Sequence, residues 1–174
     1  MKKIKTFEIL SAIGTIGFGS MLHFAYAWSG NWRPMALIAA VNESTWEHLK
    51  LAFWPAFIFA LIAYFVVKMK PKNFCLAQMV KFVSMPILII VLFYAHQLFF
   101  SDSLIYDISI FWLAVILGHV FSYQIEKSSK DYNLEKLSTV LIIIILLKFS
   151  LFTYFPIQNF LFLDPVTNLY GIIK

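Results

Sequence analysis

The chain has 174 residues, of which 61% are hydrophobic and only 13% are charged, and its mean hydropathy is +0.80. Soluble domains carry about a quarter charged residues, so this composition excludes a soluble globular protein. The net charge of +5 does not indicate nucleic acid as a partner, because the Lys and Arg residues lie in short clusters between apolar runs.

Five apolar runs are long enough to cross the hydrocarbon core of a bilayer, which takes about 20 helical residues. Only helices satisfy every backbone polar group inside lipid at these lengths, so all five are predicted to be helical. The predicted spans are residues 7–28, 45–67, 74–100, 104–125 and 137–155, followed by a tail of residues 156–174. The sequence therefore predicts one all-α domain over residues 1–174, a polytopic membrane helix bundle.

Lysine clusters predict how this bundle is oriented. They precede span one, join spans two and three, and join spans four and five, whereas the two opposite loops carry one basic residue, Arg33. Flanking positive residues are retained on the cytoplasmic side of a membrane. We therefore expect a multi-pass protein of the plasma membrane with its N-terminus inside and its C-terminus outside.

Two segments around the end of span one allow more than one interpretation. Residues 34–41 are apolar but too short to span, so we expect them to lie in the interface or to dip back beside span two. Residues 1–5 and 25–27 have the form of a signal peptide and its cleavage site. Glu8 and the length of the run favour an uncleaved span, whereas cleavage would remove His23.

Residues 42–50, with the sequence Asn-Glu-Ser-Thr-Trp-Glu-His-Leu-Lys, are the most informative stretch. Ser44 and Glu47 form a capping box, which predicts that span two begins here. The capping box does not explain why His48 and Lys50 enter an apolar helix. Since Glu43 and Glu47 stand at i and i+4, one side of this helix end presents two carboxylates, an imidazole and an ammonium.

Ionisable residues of other segments are predicted at the same depth. By helical rise, His23 and His96 lie about one turn below the outer ends of spans one and three, and Asp107 lies about one turn into span four. Asp164 follows span five in the outer tail. Because ionisable residues in a membrane usually face a cavity or one another, we expect a shared polar pocket that opens outward. The predicted lining of this pocket also includes Asn42, Lys50, Asp107 and Lys148.

Several of these residues also have a purely structural explanation. His96 can reach interfacial water, and Glu47 with Lys50 can be a salt-bridged helix start. Near the cytoplasmic side, Lys81 is expected to snorkel to the interface. Lys148 is the only charge inside span five, and we expect it to pair with a carboxylate of Asp107, Glu43 or Glu47, with snorkelling as the alternative.

The Asn-Glu-Ser-x-Trp-Glu-His-Leu-Lys run of residues 42–50 resembles the motif of a known family. Leu22-His23, Asp107-Ile108 and the Asp-Pro-Val-Thr of residues 164–167 support this resemblance. The family is a domain-of-unknown-function family of small bacterial multi-pass membrane proteins. The resemblance implies a shared membrane fold and a shared outer site, and it implies no biochemical activity.

Binding or transport of a small solute is the function that requires the fewest special features of this pocket. Glycines at positions 14, 17 and 19 and Pro55 interrupt spans one and two, as in the helices that form substrate sites of transporters. The expected partners are the lipid bilayer and a small-molecule or lipid ligand. The sequence does not indicate the oligomeric state or the direction of any transport.

A metal-dependent hydrolase acting on a lipid-like substrate at the outer leaflet is the alternative function. Catalytic zinc takes three protein ligands and one water, and a nearby carboxylate can serve as general base. The candidate zinc ligands are His23, His48, His96 and Asp164, and the candidate bases are Glu43 and Glu47. The spacing is not that of a His-Glu-x-x-His motif, and the single cysteine excludes a cysteine-based cluster.

Overall fold

The structure is a computed structural model that describes residues 2–101 and 103–172. Over these residues the chain is all helical, as predicted. Its five α-helices are α1 (Lys2–Trp28), α2 (Thr45–Leu61), α3 (Phe74–Gln97), α4 (Leu104–Glu126) and α5 (Glu135–Leu151). A 3-10 helix, Arg33–Leu37, follows α1, and α2 continues as a π-helical turn, Ile62–Val66.

Four helices are long and apolar enough to cross a membrane, namely α1, α3, α4 and α2 with its π-helical extension. Helix α5 has 17 residues, whereas a typical span has about 20. By helical rise it is about 26 Å long, which is shorter than the roughly 30 Å of the hydrocarbon core. The predicted fifth span continued to residue 155, but the chain turns after Leu151. Four of the predicted spans thus correspond to helices of sufficient length, while the fifth span and the orientation stay predictions.

The capping box places the start of α2 as predicted. The Ser44 side chain accepts a hydrogen bond from the Glu47 backbone N–H at 3.4 Å, and the helix begins at Thr45. The Glu47 carboxylate does not return to the N-cap as it would in a complete capping box. It accepts a hydrogen bond from the Val41 N–H at 3.2 Å, and the Ser44 N–H donates to the side chain of Asn42 at 2.9 Å.

The apolar core lies between α2, α3, α4 and α5, where Phe53, Met85, Val115 and Phe149 are buried together. Helix α1 packs on α2 and α4. At Gly19 the backbone carbonyl of Leu51 occupies the space that a Cβ would need. A small residue at this position therefore lets α1 and α2 approach closely, as in other membrane helix pairs.

Antiparallel packing brings the C-terminus of α1, the N-terminus of α2, the C-terminus of α3 and the N-terminus of α4 to one end of the bundle. We call this the His23 end and the opposite end the Glu8 end. The chain after α5 folds back over the His23 end, where the Trp46 N–H donates to the Leu161 carbonyl at 2.8 Å. Residues 34–41 also dip back among the helices at this end, because Ala36 and Ala39 are fully buried against Tyr26.

Candidate functional site

Three predicted site residues from three segments meet at the His23 end. They are His23 of α1, Glu43 of the loop before α2, and His48 of α2. The Glu43 carboxylate lies 3.5 Å from His48 Nε2 and 3.9 Å from His23 Nε2. The potential ligand atoms of the three side chains all lie within 4.8 Å of one another. We call these three residues the His-Glu-His cluster.

The helix start fixes the orientation of the His48 ring. Its Nδ1 lies 2.9 Å from the backbone carbonyl oxygen of Ser44, one turn earlier. Because a carbonyl can only accept, Nδ1 carries the hydrogen and donates it, which leaves the lone pair of a neutral ring on Nε2. Nε2 is the nitrogen that faces Glu43, and metal-binding histidines are commonly oriented by such a bond from the other ring nitrogen.

The cluster is open to its surroundings. The side chains of His23, His48 and Glu43 are 27%, 35% and 50% exposed. The other nitrogen of His23, Nδ1, is buried and has no hydrogen-bond partner among the described residues. Only Nε2 of His23 therefore faces the Glu43 carboxylate.

The cluster has the composition of a transition-metal site. Two imidazoles and a carboxylate suit zinc and related ions, whereas calcium and magnesium prefer ligand sets made only of oxygen. Ligand atoms around tetrahedral zinc lie about 3.4 Å apart, given bonds of about 2.0–2.2 Å. The distances from Glu43 to the two rings, 3.5 and 3.9 Å, are slightly wider than this value, and all three ligand atoms lie within 4.8 Å of one another. The ligands would therefore have to move closer together to hold one ion. Three ligands leave the fourth position open.

Glu47 and Lys50 form a separate buried network beneath the cluster. The Lys50 amine lies 2.6 Å from the Glu47 carboxylate and donates to the Ala36 carbonyl at 2.8 Å. Thr153 completes the network, since its hydroxyl accepts from Lys50 and donates to Glu47, each at 2.8 Å. These side chains join α2, residues 34–41 and the turn after α5. Glu47, predicted as a candidate base, is thus engaged in structural contacts.

His96 and Asp164, two of the predicted zinc ligands, are not brought to the His-Glu-His cluster. The His96 ring stacks on Tyr106 with centroids 3.7 Å apart. Asp164 is buried and accepts hydrogen bonds from the Thr167 hydroxyl at 2.6 Å and the Val166 N–H at 3.1 Å, which fixes a turn of the tail. The structure therefore does not bring the four predicted ligands together among the described residues. Depth along the bundle was predicted from helical rise, but α3 packs on α2, α4 and α5 rather than beside His23.

The remaining pocket residues have different surroundings. Asn42 is next to the cluster and donates from its side-chain amide to the Gly171 carbonyl at 2.8 Å. Asp107 is half-buried near the start of α4. Lys148 is exposed on α5 and takes part in none of the ion pairs among the described residues, while Glu47 is paired with Lys50. The expected pairing of Lys148 is therefore not observed.

A second polar cluster, at the Glu8 end, was not predicted from the sequence. The Lys81 amine lies 3.3 Å from the Glu8 carboxylate, which also bonds His119 and accepts from the Ser122 hydroxyl at 3.1 Å. Lys81 is only 2% exposed, so the expectation that it snorkels is wrong. The spacing of Glu8, Ser11 and Thr15 along one face of α1 was the available signal, because polar residues at this period predict a buried polar face.

Comparison with known proteins identifies the family of the chain but no activity. Residues 2–172 match DUF6512, a family of unknown function, which confirms the prediction that the chain belongs to a family without an assigned function. Comparisons with curated proteins and with solved structures gave no match. Since the match covers nearly the whole chain, the chain belongs to this family of unknown function, DUF6512.

Proposed function

We propose that this protein is a membrane-embedded binding protein for a divalent transition-metal ion of the zinc type, held by His23, Glu43 and His48. The observation that supports the proposal is the convergence of three metal-ligand side chains from three segments within 4.8 Å. The bond from His48 Nδ1 to Ser44 supports it further, because it prepares Nε2 as a ligand. On the predicted orientation, the site faces the outside of the plasma membrane.

Binding is favoured over hydrolysis because the cluster has no spare carboxylate. Glu43 is itself a ligand in this proposal. Glu47 accepts hydrogen bonds from Thr153 and Val41 and pairs with Lys50, so it is not placed to take a proton from a metal-bound water. A general base must lie within hydrogen-bond reach of the proton it removes. The small solute of the binding function is then the metal ion itself.

A metal-dependent hydrolase of lipid-like substrates is the second candidate, and an apolar groove that extends from the far half of α2 toward the His23 end favours it. The groove lies between α1 and α2 and has a volume of about 350 Å³. Its walls include Phe18, Met21, Leu22, Trp28, Trp54 and Ile58. A groove of this kind suits an acyl chain, and a water in the open zinc position would act as the nucleophile.

A zinc titration in mild detergent, in competition with a chromophoric chelator, tests the metal proposal. We expect one ion per chain, with affinity at least about tenfold lower in His23→Ala and in His48→Ala. His96→Ala is the matched control, because this histidine lies at the same end and outside the cluster. A wild type without zinc affinity, or an equal loss in His96→Ala, would contradict the proposal. Release of hydrolysis products from phospholipid vesicles that requires zinc would favour the hydrolase.

A further inference from the structure

The cluster at the Glu8 end contains a carboxyl group that the metal site does not use. Glu126, the last residue of α4, is buried and accepts a hydrogen bond from the Gln78 side-chain amide at 2.9 Å. Its second oxygen, Oε2, is buried without a hydrogen-bond partner among the described residues. The side-chain oxygen of Gln78 is likewise buried and without a partner there. Two neighbouring acceptors thus lack a donor.

The charges around Glu126 do not compensate an ionised carboxylate. From α1 it faces Glu8, and from α3 it faces Lys81, whose amine lies within 3.4 Å of both Glu8 oxygens. From its own helix the polar groups are Ser122 and His119, and His119 bonds Glu8. On α5, the Glu135 carboxylate is engaged by backbone N–H groups at the start of α3.

Two proton distributions leave the cluster neutral: a proton on Glu126 with a neutral His119, or a proton on His119 with an ionised Glu126. The first is favoured because it supplies a donor at the unpartnered Oε2 of Glu126. In the first, Lys81 and an ionised Glu8 balance each other, and a neutral His119 donates to Glu8. An ionised Glu126 would add a second negative charge without a cation of its own, in a position where burial strongly disfavours it. A proton on Oε2 removes that charge and also turns the unpartnered acceptor into a donor.

We propose that Glu126, supported by Glu8, Lys81 and His119, is a proton-binding site buried in the helix bundle that holds one proton at neutral pH. Glu126 is the proton carrier, and the ion pair of Glu8 with Lys81 keeps a second carboxylate ionised beside it. Buried ionisable groups of this kind mark proton relays in membrane proteins.

Polar contacts connect the site in one direction along the bundle. The Gln78 amide contacts the Ser122 hydroxyl at 3.5 Å, Ser122 donates to Glu8, and Glu8 bonds His119. His119 Nε2 then lies 3.5 Å from the Thr15 hydroxyl. One turn further, at Gly19, α1 packs against the Leu51 backbone and the Phe111 ring. Because Glu126 is the last residue of α4, the proposed proton exchange is at the Glu8 end, and the packing at Gly19 closes the path toward the His23 end.

Infrared spectroscopy of the full chain in lipid bilayers tests this proposal through the C=O stretch of a protonated carboxyl group. At pH 7 we expect this band in the wild type, and we expect Glu126→Gln to remove it. Two Glu→Asp variants then identify which carboxyl group carries the proton. Glu126→Asp should shift the band, because the carrier itself is changed, whereas Glu8→Asp should leave the band in place.

Two results would overturn the proposal. One is a wild type without the band at pH 7, which means that His119 or no group carries the proton. The other is a band that shifts in Glu8→Asp and not in Glu126→Asp, which assigns the proton to Glu8. The wild-type spectrum alone shows whether a protonated carboxyl group is present at pH 7, even if a variant fails to fold.

Discussion

His23 of α1 and His48 of α2 lie with their ring centroids 5.2 Å apart, and the Glu43 carboxylate is within 4 Å of a nitrogen of each ring. The two rings come from different helices, and the carboxylate comes from the loop between those helices. Their shared carboxylate and their open surroundings resemble the way proteins prepare a metal site, with ligands from separate segments held by the fold.

The buried pair of Lys50 and Glu47 should be important for stability. Lys50→Met leaves the Glu47 carboxylate buried without its cation, so we expect a loss of about 3–5 kcal/mol in the free energy of unfolding. Lys148→Met is the matched control, because Lys148 is exposed and outside the ion pairs of the described residues. Its expected change is within about 0.5 kcal/mol. Thermal unfolding in mild detergent measures both variants, and equal effects would contradict the assignment.

The close approach of α1 to α2 makes Gly19 sensitive to substitution. Gly19→Ala places a methyl group against the Leu51 carbonyl, which is backbone and cannot rotate away, so we expect a loss of about 1–3 kcal/mol. Gly17→Ala is the control on the same helix, since nothing lies within 4 Å of a Cβ built there. It should be neutral or stabilising by up to about 1 kcal/mol. If Gly17→Ala destabilises as much as Gly19→Ala, helix packing is not the cause.

Trp46 should hold the C-terminal tail on the His23 end. Its ring packs on Phe149 and Phe162 with centroids 4.9 and 4.5 Å away. We expect Trp46→Ala to destabilise by about 3–5 kcal/mol and to open the tail to proteolysis. Trp28→Ala is the comparison, because Trp28 is largely exposed and should tolerate the change. A tail that stays resistant to protease in Trp46→Ala would show that other contacts hold it.

The local part of this structure could be predicted from the sequence, and the reason is visible at α2. A capping box acts over three residues, so Ser44 identified the helix start without any knowledge of its neighbours. His23, Glu43 and His48 were also predicted to lie at one depth near the outer face, as members of a larger pocket in which Glu43 was a candidate base rather than a ligand.

Contacts between helices that are distant in the chain could not be predicted in the same way. Helical rise gives the depth of His96 but not its direction around the bundle, and its ring lies on Tyr106. Lys81 looked like a snorkelling residue because its partner, Glu8, belongs to a different helix. Only the arrangement of α1, α3 and α4 shows that the two side chains meet in the interior.

Cysteine labelling in intact cells with an impermeant reagent tests the predicted orientation. With Cys75 changed to Ser, we expect Ser101→Cys and Asn168→Cys to react from outside, because both residues are exposed near the His23 end. Lys70→Cys, exposed near the Glu8 end, should react only after the cells are opened. Labelling of position 70 from outside would show that the orientation is the reverse of the predicted one and that the metal site faces the cytoplasm.

X-ray absorption at the zinc edge is the measurement that tests the central claim most directly. For the zinc-loaded protein we expect a first shell of nitrogen and oxygen only, with the multiple-scattering pattern of two imidazoles. His23→Ala and His48→Ala should each remove one imidazole from that pattern, or remove the metal, and His96→Ala should leave the spectrum unchanged. A spectrum showing sulfur ligation or no imidazole, or one unaltered by both variants, would contradict a metal site at His23, Glu43 and His48.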